Sequence, residues 1–104
     1  MLFMNDYEIH DAQLRFADHP ILGPATRTLA NLRDAANANS DGWAYWPKPA
    51  RSAAKLMELL QREYVSYHNG NDPHATIAEY RKALAPVKAF RTRSGLDFEI
   101  EVPA

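Results

Sequence analysis

The sequence predicts a mostly helical α+β domain, with three to four packed helices and a C-terminal antiparallel β-hairpin laid across them. Three observations predict it. Apolar residues recur at helical spacing through much of residues 5–68. Prolines and turn-forming residues punctuate those stretches where helices should start and stop. The tail alternates instead: Leu96, Phe98, Ile100 and Val102 are interleaved with Asp97, Glu99 and Glu101, the period of a half-buried strand.

The first helix is expected over residues 5–18. Asn5 precedes Glu8 by three positions, the spacing of a capping box. Ile9, Ala12, Gln13, Phe16 and Ala17 then fall near one face. A strand competes for this stretch, because Tyr7/Ile9 and Leu14/Phe16 alternate with polar neighbours, but the alternation loses phase at Ala12. His19-Pro20 ends the helix, since the residue before proline is pushed out of the helical region. Residues 20–24, PILGP, read as a stiff connector, and Pro24 as the first residue of a second helix running to about Ala38. Ala25, Leu29, Leu32 and Ala36 form its apolar stripe, with Arg27, Asn31 and Asp34 facing water.

The central helix is expected from Pro49 to about His68. Ala53, Leu56, Met57, Leu60, Tyr64 and Val65 mark its inner face, while Arg51, Lys55, Glu58, Arg62 and Glu63 lie mostly elsewhere. Glu58 and Arg62 form an i, i+4 pair in the favourable order. Asn69-Gly70-Asn71 stops the helix, with Gly70 free to take positive φ. Asp72 as N-cap and Pro73 at the first position then start a fourth helix, with Ile77, Tyr80 and Leu84 inward and Pro86 ending or kinking it. Residues 88–92 are the expected partner strand of the tail, joined to it by Arg93-Ser94-Gly95.

A chain of 104 residues is one domain. No apolar run approaches the ~20 residues of a membrane span, and the N-terminal MLFM is too short for a signal peptide, so cytoplasmic residence is the expectation. With no cysteine there are no disulfides and no thiolate chemistry. The formal charge of −1 conceals an asymmetry: residues 43–95 hold nine basic and four acidic side chains, net +5, whereas residues 1–42 and 96–104 are each net −3.

The chemically distinctive stretch is residues 42–62, GWAYWPKPARSAAKLMELLQR. Trp43, Tyr45, Trp46, Lys48 and Arg51 lie within nine positions, with Lys55 one turn on. Trp, Tyr and Arg dominate interaction hot spots because they bring large contact area at low entropic cost. The competing role for the tryptophans is burial in a small core, which one ring can take while the other points out. Catalytic patterns are missing: there is no GxSxG, Walker or GxGxxG motif. His68 and His74 flank a turn carrying Asn71 and Asp72, but that spacing matches no zinc pattern, so neither metal nor cofactor is expected. His10 and His19 read as solvated or locally hydrogen-bonded.

The stretch Gly42 to Leu60 resembles small accessory proteins encoded by actinobacterial phages and prophages. The resemblance covers about a fifth of the chain and carries no catalytic residues. It implies a small non-enzymatic protein that binds and redirects a bacterial host protein. The leading expectation is therefore host-protein binding through the aromatic–basic turn formed by Trp43, Tyr45, Trp46, Lys48, Arg51 and Lys55. A nucleic-acid module using the basic middle segment is the alternative, and a small metal-independent enzyme built on a histidine the third reading. Self-association is also open, through the margins of the central helix or an edge strand of the hairpin.

Overall fold

A computed structural model describes residues 4–38 and 47–88. They form four helices in order: α1 (Asp6–Arg15), α2 (Leu22–Ala38), α3 (Pro47–His68) and α4 (Ile77–Lys88). Among the described residues there is no strand, so the domain is all-helical and the α+β expectation is corrected. Lys88, expected to open a strand, closes α4, and the rest of the expected hairpin lies outside the described residues. The physical reason is in the core. The sequence assigns the apolar cover of the first three helices to a hairpin, but α4 supplies it with Tyr80, Ala83 and Leu84, all buried in one cluster with α1, α2 and α3.

α1 forms as a helix because its capping box closes in both directions. The Asn5 side chain accepts from the Glu8 N–H at 2.8 Å, and the Glu8 carboxylate accepts from the Asn5 N–H at 3.2 Å. Ile9, Ala12 and Phe16 turn inward, whereas Tyr7 and Leu14, the residues that support a strand, are 76% and 66% exposed. The regular helix stops at Arg15, short of the expected residue 18.

The corner into α2 is built differently from its expectation. His19, not Gly23, precedes the first turn: its Nδ1 accepts from the N–H groups of Ile21 (3.1 Å) and Leu22 (3.0 Å), and its carbonyl accepts from Gly23 at 3.0 Å. His19 thus plays the N-cap part usually taken by Ser or Asp. Pro20 takes the place where a missing N–H is harmless, and Pro24 lies inside the helix rather than at its start. Gly23 is there because nothing larger fits: a Cβ would stand 2.8 Å from the Ala17 carbonyl oxygen and 3.1 Å from that of Phe16. The expected stripe of Ala25, Leu29, Leu32 and Ala36 is buried, widened by Thr26 and Thr28. Thr26 returns its hydroxyl to the Gly23 carbonyl at 2.8 Å, and the Thr28 hydroxyl shares a 2.8 Å bond with the Tyr80 hydroxyl, tying α2 to α4.

α3 starts at Pro47, two residues before its expected start, and ends at His68 as expected. Its end is a Schellman motif: Asn71 N–H reaches the Ser66 carbonyl and Gly70 N–H the Tyr67 carbonyl, both at 3.0 Å, with Gly70 at φ +85°. Val65, placed inward by periodicity, is 53% exposed; Glu63, placed outward, is fully buried.

α4 begins at Ile77, not at Asp72-Pro73. Thr76 and Glu79 form a reciprocal pair: the Glu79 N–H donates to Thr76 Oγ1 at 3.2 Å, and the Thr76 N–H to Glu79 Oε1 at 3.1 Å. Two bonds outcompete the single one an aspartate cap offers. Residues 71–76 run as an extended link. Pro86 falls inside α4 and removes one helical bond, to the Lys82 carbonyl, yet the helix continues to Lys88.

Candidate binding groove

α4 packs along α3, and the charged borders of that packing leave a groove of about 570 Å³. Lys55, Glu58, Leu59 and Arg62 line it from α3; Glu79, Lys82 and Ala83 line it from α4. Leu59 and Ala83 are buried and form the apolar floor. The charged groups stand along the rim because they follow one another at helical spacing: Lys55 and Arg62 are two turns apart, with Glu58 between them.

One wall is held by a polar network centred on Arg62. Its Nε and Nη2 donate to Glu63 Oε1 at 3.1 and 2.7 Å, while Nη1 and Nη2 engage the two oxygens of Glu79. The planar guanidinium fork suits two carboxylates at once. Bonding by Arg62, reinforced by the Thr76 N–H, pulls the Glu79 carboxyl down to about 2. Arg62 in turn is held above its usual range, first by Glu79 and then by Glu63. Glu63 is fully buried, and its other oxygen accepts from the His74 N–H at 3.0 Å, with His74 Nδ1 at 3.5 Å. The Glu58–Arg62 pair expected from spacing is replaced: Arg62 bonds Glu63 and Glu79, which belong to the helix junction.

A second polar contact joins α1 to α3. The Tyr64 hydroxyl donates to Asp11 Oδ2, which pushes the Tyr64 phenol up to about 12 and holds the Asp11 carboxyl below its usual range. Arg15 pairs with Asp11 at 3.5 Å and lies over the Tyr67 ring at 5.8 Å. Tyr67 meets Phe16 edge-on, with ring centroids 5.8 Å apart.

Of the residues singled out in the sequence, Trp43, Tyr45 and Trp46 lie outside the described residues. Lys48 belongs to the first turn of α3, and Arg51 and Lys55 are exposed one turn apart on the same helix. Only Lys55 of these reaches the groove. The four histidines are not brought together. His10 is exposed on α1, His19 caps α2, His68 sits edge-on to Tyr64 at 4.5 Å, and His74 lies against Glu63. Among the described residues no group of three or more His, Asp or Glu side chains is placed to hold a metal ion. No described helix is long and apolar enough to cross a membrane.

Sequence reasoning missed three structural residues here. Thr76 carried a readable signal, since T-x-x-E before an apolar run is a capping box. Glu63 also carried one: it lies seven residues after Leu56 and three after Leu60, on the phase of the buried stripe. His19 as a cap had no such signal. Comparison with family models, with curated proteins and with solved structures found no match for this chain.

Proposed function

We propose that this chain is a non-enzymatic binding protein of the phage or prophage accessory kind, and that it engages a bacterial host protein through the segment from Trp43 to Lys55. The observation that supports this reading is the placement of its described part. Arg51 and Lys55 stand exposed in line on α3, clear of the buried core cluster, and Lys55 continues into the α3–α4 groove. Cations held in water on a rigid helix, beside an aromatic-rich stretch, are the residue types that interfaces use as anchors and for steering.

The test is a capture experiment from bacterial lysate with the wild type beside Trp46→Ala/Arg51→Ala, both first shown to be helical and cooperatively folded. A defined host protein retained by the wild type and lost from the double variant is the expected result. Equal retention by both would move the contact off this segment. Capture of nucleic acid instead, released steeply by salt, would favour the basic-segment alternative.

A further inference from the structure

The groove between α3 and α4 has features that a merely solvated helix junction does not need. Its floor is apolar and formed by Leu59 and Ala83, while its rim carries Lys55 on one side and Lys82 on the other. Among the described residues neither lysine makes an ion pair. The third cation, Arg62, is spoken for: four bonds to Glu63 and Glu79 neutralise it and fix it as part of the wall. Once that pairing is taken into account, the groove presents two lysines against the single carboxylate of Glu58. Its field toward an incoming partner is therefore positive, flanked by exposed Arg51 one turn before Lys55.

We propose that this groove docks an acidic segment of the partner protein, with carboxylates reaching Lys55 and Lys82 and a small apolar side chain resting on Leu59 and Ala83. The inference rests on the binding reading above and names the chemistry of the partner. Charge complementarity carries it. A basic segment would meet two unpaired lysines, and a wholly apolar one would strip water from three charges without replacing it. The wall is also prearranged. Arg62 and Glu79 are already ordered by each other, so docking does not have to immobilise them. The volume of about 570 Å³ suits a few side chains of a docked segment.

The experiment uses the full chain and a fluorescein-labelled helical peptide bearing glutamates at i and i+4 around a central leucine, beside its glutamine counterpart. Amide shift mapping should move Lys55, Leu59, Lys82 and Ala83 with the glutamate peptide and leave them in place with the glutamine one. Anisotropy should show Lys82→Glu weakening the glutamate peptide by about tenfold, with Glu58→Gln tightening it by roughly twofold, and raised salt loosening both. Lys82 and Glu58 are exposed, so both variants should fold as the wild type does. Shifts centred elsewhere, equal binding of the two peptides, or indifference to Lys82→Glu would overturn the assignment. Lys82 lies outside the Trp43–Lys55 segment, which separates the two failures. Host-protein capture that survives Lys82→Glu but is lost with Trp46→Ala/Arg51→Ala removes the groove and keeps the broader reading. Capture that survives the double variant removes the broader reading itself.

Discussion

The α1–α2 corner and the α3–α4 link both carry the chain from one helix to the next, and they do so with different physics. The first is closed by shape. Gly23 lets the first turn of α2 come against the carbonyls of Phe16 and Ala17, Phe16 and Leu22 are buried beside it, and His19 satisfies the exposed helix start. The second is closed by charge. Glu63, Arg62 and Glu79 join α3 to α4, and the His74 and Thr76 N–H groups are drawn onto the same carboxylates. Shape tolerates changes in pH and salt but not in volume. A charge network tolerates small changes in volume, but it depends on every partner remaining ionised and present. The groove lies on the charged side of the molecule, so the wall that borders it is itself built from ion pairs.

The contrast can be broken most severely at Glu63. Replacing it by alanine leaves the His74 N–H and part of Arg62 without their acceptor. We expect a loss of about 2–3 kcal/mol in urea unfolding, below the ~3–5 kcal/mol of a fully buried pair. The discount follows from Arg62, whose side chain is 44% exposed and can return to water. A loss under ~0.5 kcal/mol would mean that the link is held by packing after all.

Gly23→Ala probes the shape side. The added methyl meets backbone oxygen rather than a movable side chain, so α2 must shift; about 1–3 kcal/mol should be lost, with no dependence on salt. A neutral or stabilising result would show that the corner is looser than its 2.8 Å approach implies.

His19→Ala should cost about 1 kcal/mol, the usual worth of an N-cap, and His19→Asn should recover most of it because an Asn oxygen can accept the same N–H groups. Failure of Asn to rescue would assign the loss to packing of the imidazole ring.

The smallest effect is the most diagnostic of the charged side. Glu79 has its folded pKa depressed from 4.5 to about 2, so its contribution is present above pH ~4.5 and is lost as pH falls toward 2. Glu79 is partly exposed, which keeps the effect modest through solvent screening. Thermal melts of Glu79→Gln should be flatter than those of the wild type across that window, and less sensitive to salt. Parallel curves would place the acid-labile group elsewhere; Asp11, held low by Tyr64 and Arg15, is the next to test.

How much of this was legible depended on whether a signal was local. The Asn5/Glu8 capping box, the α2 stripe of Ala25, Leu29, Leu32 and Ala36, and the Gly70 stop of α3 all rest on contacts within a few residues, and each can be read from spacing. Pro24 and Asp72 misled because each is a good helix start in isolation, while His19 and Thr76 make better ones in place. The alternating tail misled about fold class for a related reason. A period of two says which residues share a face of a strand, but it does not say that the core needs covering, and α4 already covers it. Of the candidate site, the sequence named Arg51 and Lys55 as exposed cations on α3 but could not bring Lys82 opposite Lys55, because that requires knowing how α4 lies against α3.

By itself, then, the sequence determined the helical repeat, most helix ends and the buried stripes of α1 and α2, since helix periodicity and capping are short-range effects. Tertiary structure alone decided the fate of Glu63, the pairing of Arg62 across two helices, and the existence of the groove. Burying a carboxylate is unfavourable until an arginine and a free N–H arrive from elsewhere in the fold, and both are present only once α3, the 71–76 link and α4 have come together.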